Sequence, residues 1–174
     1  SQVTAAPYPV ISYKEAMLKY GTDKPDLRNP LEIVDVTDFF QRCTFEPFHG
    51  KTVRAVNVHQ QMSKKFHKKF EEFAKKIGMG GLGYLQVQDD MTYKGPIDKF
   101  IPDDMKQEIA DIAGLQAGDT IFFICDKEKQ AALFAGQIRT ELGNRLDLLE
   151  KNAYRFCFIN DFPMYEYDEK EKKI

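Results

Sequence analysis

A chain of 174 residues, 43% of them hydrophobic, has the length and apolar content for one folded domain with a core, which excludes wholesale disorder. Its 25 Lys and Arg stand against 27 Asp and Glu, a net charge of -2, so no global basic field draws it to nucleic acid and any such binding needs a local patch. In chain order, Ser12 opens the first predicted helix, and Glu15 three residues later completes a capping-box pattern in which each side chain can satisfy the other's free backbone N–H. Gly21 closes that helix in a left-handed cap. The stretch "YGTDKPDLR", Tyr20 to Arg28, is too polar for core and too irregular for a helix or strand, and reads as a connector. Pro25 and Pro30 bias Lys24 and Asn29 to extended backbone.

"LEIVDV", Leu31 to Val36, reads as a buried strand, followed by a short helix near Thr37 to Arg42 and a strand over Thr52 to Val58. Ser63 caps the clearest helix, in which Phe66, Phe70, Phe73, Ala74 and Ile77 share one apolar face. After the turn "GMGGLG" comes the strand "GYLQV". A helix is expected to start near Pro102, with Asp103 and Asp104 at its positive end, and to finish near Gly114. "AGDTIFFICD" is a turn and a strand. The next helix is expected over Lys127 to Leu142, with Gly143 stopping it. "YRFCFIND" reads as the last strand, and "DEKEKKI" as a charged end with nothing to pack.

Strands alternating with helices favour a parallel sheet. Against that, the first two strands lack a long crossover helix, and several strands alternate polar with apolar residues, which suits a sheet covered on one face. The expectation is an α+β, two-layer sandwich: a mostly antiparallel sheet with helices on one face.

The cysteines, Cys43, Cys125 and Cys157, and the histidines, His49, His59 and His67, lie too far apart for a disulfide framework or a zinc site. Cys125 and Cys157 read as buried strand thiols of a reducing, cytoplasmic compartment. No apolar run approaches the ~18 residues of a membrane helix. "SQVTAAPYPVISY" lacks the pattern of a signal peptide, and a start without Met is expected of a processed chain or of a piece of a longer one.

On the Ser63 helix, Lys64, Lys68 and Lys75 fall opposite the phenylalanines, with Lys65, Lys69 and Lys76 on one flank. Such a cluster is either a phosphate-contacting surface or a solvated helix face on which Glu72 pairs with Lys68 and Lys76. "GMGGLG" runs from helix to strand, the reverse of a dinucleotide-binding loop, and reads as a plain turn. "KGPIDKF" reads as a rigid turn. Asn160 and Asp161 end a strand, where catalytic groups often sit, although a turn-forming Asp is the simpler reading. No nucleophile–base pair, paired-carboxylate motif or phosphate loop can be assembled, so no catalytic, cofactor-binding or metal residue is assigned.

"YGTDKPDLR" and "FINDFPMYEY" resemble two segments of bacterial-type aspartyl-tRNA synthetases that flank an insertion, the GAD domain. "GGLGYLQV", "KGPIDKF", "GDTIFFICD" and "IRTELGNRLDLL" resemble successive stretches of that insertion, which also occurs in one subunit of the glutamyl-tRNA(Gln)/aspartyl-tRNA(Asn) amidotransferase. Both flanks favour the synthetase. The resemblance implies a GAD-like fold at 31–150, a catalytic-domain flank and connector at 1–30, and a return strand and flank at 151–174. It implies a homodimeric parent enzyme that uses ATP and Mg2+ to charge tRNA with aspartate. The ATP-binding arginines of that family's motifs 2 and 3, a histidine pair and an anticodon-binding OB-fold would lie outside these residues, so the fragment itself is expected to be inactive. Asp23, Lys24, Asp26, Arg28 and Asp161 are then expected to pin the domain boundary against the remainder of the synthetase. Lys64, Lys65, Lys68 and Lys69 are the candidate tRNA-facing residues. The competing reading is a structural spacer or protein-docking domain.

Overall fold

Two short strands, Gln2–Val3 (β1) and Val10–Ser12 (β2), precede the first helix, Tyr13–Tyr20 (α1). The computed structural model describes residues 2–3, 10–149, 153–154 and 158–160. Ser12 Oγ accepts the Glu15 N–H at 3.0 Å, while the Glu15 carboxylate meets Lys19 Nζ at 2.9 Å, so one half of the capping box forms and its acid serves an i,i+4 pair. Gly21, at φ 70°, closes the helix by donating its N–H to the Met17 carbonyl. The connector leads to Ile33–Asp35 (β3), Thr37–Gln41 (α2), Thr52–Asn57 (β4) and Lys64–Lys76 (α3). Then follow Gly83–Val87 (β5), Tyr93–Lys94 (β6), Lys106–Ala113 (α4), Thr120–Asp126 (β7) and Glu128–Arg145 (α5). Ala153–Tyr154 (β8) and Phe158–Asn160 (β9) complete the described elements.

Five strands form one sheet in the order β3-β4-β7-β5-β6, and every neighbouring pair is antiparallel. The α+β class and the antiparallel sheet agree with expectation. Outside that sheet, β2 pairs parallel with β9, setting Ser12 opposite Asn160, and β1 pairs parallel with β8. Cys157, Asp161 and the "DEKEKKI" end lie outside the described residues.

The expectation of helices on one face needs correction. Along β7, Ile121 and Phe123 point into one core with α2 and α4, through Phe39, Phe40, Ile109 and Ala113. Phe122 and Ile124 point into a second core with α3 and α5, through Phe70, Ala74, Phe134, Ile138 and Leu142. Helices therefore cover both faces, and the architecture has three layers. The polar residues that made the strands look half-exposed are buried instead. Arg54, 6% exposed, meets Asp35 at 2.8 Å, and Asn57 donates Nδ2 to Asp119 at 2.9 Å. Pairing offsets the cost of burying each of them.

Gly143 does not stop α5, which continues to Arg145. A Cβ on Gly143 would collide with Asn29 Nδ2 and lie 2.7 Å from its Cγ. Asn29 cannot swing aside, because its Nδ2 donates to the Arg139 carbonyl and its Oδ1 accepts from the Leu31 N–H. Gly143→Ala is therefore expected to destabilise the fold by ~1–2 kcal/mol: overpacking costs ~1–3 kcal/mol, and removing a helical glycine returns less than ~1 kcal/mol. Urea denaturation of the two chains measures this, and an equal or more stable variant contradicts the close approach.

Candidate functional site

The connector is built against α5. Its entry is a backbone-to-backbone contact: a Cβ on Gly21 would lie 2.5 Å from the Gly136 Cα, and one on Gly136 would lie 2.9 Å from the Gly21 carbonyl. Only glycine at both positions lets α1 and α5 approach this closely. One turn further along α5, Arg139 is 2% exposed and aims its guanidinium into the connector. Its Nε donates to the Leu31 carbonyl at 2.5 Å, and its Nη2 donates to the carbonyls of Asn29 at 2.6 Å and Asp26 at 3.2 Å. The Tyr20 ring lies 4.6 Å away, within reach of a cation–π contact. Burial pulls the Arg139 pKa down, opposed by Tyr20, Asp26 and Glu32. It starts so high that the group stays cationic.

Two of the charges expected at this boundary, Asp26 and Arg28, meet each other. Asp26 accepts from the Arg28 backbone N–H, Nε and Nη2, the closest at 2.7 Å, and this contact holds its carboxyl below the usual range. With side chains 45% and 42% exposed, this ion pair by itself stabilises little. Lys24 is exposed and makes no ion pair among the described residues. Its backbone N–H is taken by Thr22 Oγ1. Arg139 is the residue that sequence reasoning passed over. A signal existed: it lies eight residues after Ala131 and four after Ala135, an arginine inside an apolar helical stripe.

On α3, Ser63 Oγ accepts the Phe66 N–H at 3.1 Å and starts the helix. Lys64, Lys65, Lys68 and Lys69 are all exposed and have no carboxylate partner among the described residues. The ion pair that forms on this helix is Lys75–Glu71 at 3.5 Å, where Glu72 had been expected to pair. The helix separates its flanks. On one, His67 stacks on Tyr84 with ring centroids 3.8 Å apart. On the other, Arg145 of α5 lies 5.3 Å from the Phe73 ring. Burial lowers the His67 pKa, and Gln86 opposes the shift without meeting hydrogen-bond geometry to either ring nitrogen.

Between the connector, α5 and the end of α3 lies a cleft of about 830 Å³. Phe73, Ile77 and Leu133 line it, with Gln130, Gln137 and Lys24 around them. Elsewhere, Asp119 is buried and its carboxylate accepts from Asn57 Nδ2 and the Gln116 N–H at 2.9 Å each, with His59 Nδ1 at 3.3 Å. These contacts tie β4 to the turn before β7. Burial raises the Cys43 thiol to about 11, so it is protonated and unreactive near neutrality. Among the described residues no group of His, Cys, Asp and Glu is placed to hold a metal ion, and no helix is long and apolar enough to cross a membrane. Among the described residues no nucleophile is set beside a base.

The sequence profile of the GAD domain matches residues 46–134, about half of the chain. The chain is 47% identical over 174 residues to an aspartate–tRNA(Asp/Asn) ligase of Ehrlichia canis (strain Jake), an alignment covering 96% of this chain and 30% of that protein. It is 46% identical over 175 residues to an aspartate–tRNA(Asp/Asn) ligase of Wolbachia pipientis wMel, covering 96% and 29% respectively. The chain thus spans about three tenths of the length of the curated relatives it matches. Among solved structures, a hypothetical protein from Pyrococcus horikoshii OT3 aligns over 57% of this chain and 58% of its own. The TM-score is 0.39 and the identity 22%.

Replacing Arg139 by Leu is expected to cost ~3 kcal/mol or more, because the carbonyls of Leu31 and Asn29 lose a charged donor inside the fold. The connector should then be cut by protease at concentrations that leave the parent chain whole. Arg139→Lys should rescue little, since an ammonium cannot reach three carbonyls as a planar fork does. Parent-like stability of both variants contradicts the latch. His67 carries a pH signature. Its folded pKa lies below its ordinary 6.5, so the stability it contributes is full above that value and is lost as pH falls through the folded pKa. Urea midpoints measured from about pH 7 to pH 5 should fall less steeply in His67→Phe than in the parent chain.

Proposed function

Since the chain belongs to the GAD domain family, we propose that it is the insertion domain, with flanks, of an aspartate–tRNA ligase. The observation that carries this reading is identity of 47% running through 96% of the chain, well beyond the residues the GAD profile covers. It favours the ligase over the amidotransferase subunit. On this reading residues 1–30 and 151–174 are the flanks toward the catalytic domain, and 31–150 is the insertion. The longer protein is a cytoplasmic homodimer that uses ATP and Mg2+ to activate aspartate and transfer it to tRNA. Those groups are held by residues outside this chain, and the fragment is inactive alone.

Within that enzyme the domain's own role is to contact tRNA through Lys64, Lys65, Lys68 and Lys69. Four exposed ammonium groups on one helix, with no carboxylate partner among the described residues, support this role. The spacer reading draws support from a different observation, the Arg139 latch, which makes the connector part of a rigid unit with α5.

In the longer protein, aspartate charging of tRNA is the expected activity, and its absence removes the ligase reading. With Lys64, Lys65, Lys68 and Lys69 all changed to Ala, the KM for tRNA should rise about tenfold, equivalent to ~1.4 kcal/mol. The log–log salt dependence of tRNA binding should become shallower by ~0.7–0.9 for each phosphate no longer neutralised. An unchanged KM and slope would leave the domain as a spacer.

A further inference from the structure

The cleft beside the connector has a composition that the lysine surface alone does not explain. Its floor is apolar: the Phe73 ring, Ile77 at the end of α3, and Leu133, which is 44% exposed on α5. Leu133 adds accessible aliphatic surface to this floor beside the half-buried Phe73 and Ile77. Above the floor stand Gln130, Gln137 and Thr140, exposed and spaced along the same ridge of α5 as Leu133. Their side chains make no hydrogen bond among the described residues, and each amide offers both donors and an acceptor. The charge is one-sided. Of the carboxylates at the rim, Asp26 is held by Arg28 and Glu141 by Arg145, each at 2.7 Å, whereas Lys24 has no ion pair among the described residues. The cleft is therefore flat and apolar below, rich in base-edge partners above, and cationic at its mouth.

α3 connects it to the lysines. Lys69 precedes Phe73 by four residues and Lys76 follows it by three, so both lie on the flank of α3 that turns toward α5, with Lys65 one turn earlier. A chain of phosphates following Lys65, Lys69 and Lys76 runs past the mouth of the cleft. We propose that this cleft accepts an unstacked base of a single-stranded RNA segment whose phosphates lie along that flank. Apolar and aromatic contact would hold the face of the base, and Gln130 and Gln137 would meet its edge. At about 830 Å³ the cleft has ample room for one base. The proposal rests on the RNA-contacting role given above, and adds that the domain distinguishes single-stranded from duplex RNA.

The test uses this chain and a single-stranded RNA decamer carrying one 2-aminopurine, with the same sequence as a blunt duplex for comparison. The single strand should bind about tenfold more tightly than the duplex, and the reporter should brighten as it leaves the base stack. Leu133→Ala and Gln137→Ala, both at exposed positions, should weaken single-strand binding severalfold at unchanged salt slope. Lys69→Ala should make the slope shallower by ~0.7, the value for one phosphate of a single strand. Equal binding of single strand and duplex, with no effect of Leu133→Ala or Gln137→Ala, overturns the cleft while leaving the lysines as an RNA surface. No binding of either RNA at low salt overturns both readings. If Leu133→Ala impairs the longer enzyme without altering RNA affinity, the cleft holds part of that enzyme and the proposal also falls.

Discussion

A guanidinium carries five N–H groups and no acceptor, so burying Arg139 obliges the chain around it to present oxygens. The connector does this with the carbonyls of Asp26, Asn29 and Leu31. Those carbonyls belong to a segment with no strand or helix partners of its own, and the arginine replaces the ladder that regular structure would provide. Asn29 returns the contact by donating to the Arg139 carbonyl. Gly21, Gly136 and Gly143 are required because side chains at these positions would hold the two segments apart. The path of the connector, the width of the adjoining cleft and the placement of Lys24 at its mouth all follow from this one buried cation.

The sheet divides the molecule into two chemically different halves. On the α2–α4 side the core is closed by aromatic edge contacts among Phe39, Phe40, Phe48 and Phe123, and Arg42 pairs with Glu108 across the two helices. The α3–α5 side carries the unpaired lysines and the cleft. A net charge of -2 therefore conceals a basic helix face on one side of the sheet. Local placement, and not the total, decides whether a surface attracts a polyanion. This is the physical basis on which a nearly neutral domain can present a basic surface to a polyanion.

The elements were legible to different degrees for identifiable reasons. Caps are local, so Ser12, Gly21, Ser63 and Gly114 mark helix ends that the structure also shows. β7 is an apolar run, and the structure buries it on both faces. Alternation in β4 argued the other way, because a polar residue paired in the core looks the same in sequence as one facing water. Arg54 and Asn57 are of the first kind. Gly143 misled for a similar reason: glycine ends helices by its backbone freedom, but here it serves by its small size, which matters only once Asn29 is known to lie against it.

Periodicity and capping, both set by residues within a few positions of one another, were enough to place the main helices, the longer strands of the sheet and the row of lysines on α3, but not β1, β2 or β6. Motif resemblance added the family. Only the tertiary structure decided that helices cover both faces of the sheet, that Asp26 and Arg28 hold each other, and that Arg139 holds the connector. It also brought Phe73, Lys24 and Leu133 around one cleft. Apart from the Asp26–Arg28 pair, two positions apart, each of these depends on partners far apart in the chain, such as Arg139 and Leu31, separated by 108 positions. Local sequence rules describe what a segment prefers, and carry no term for which distant carbonyl will meet a buried charge.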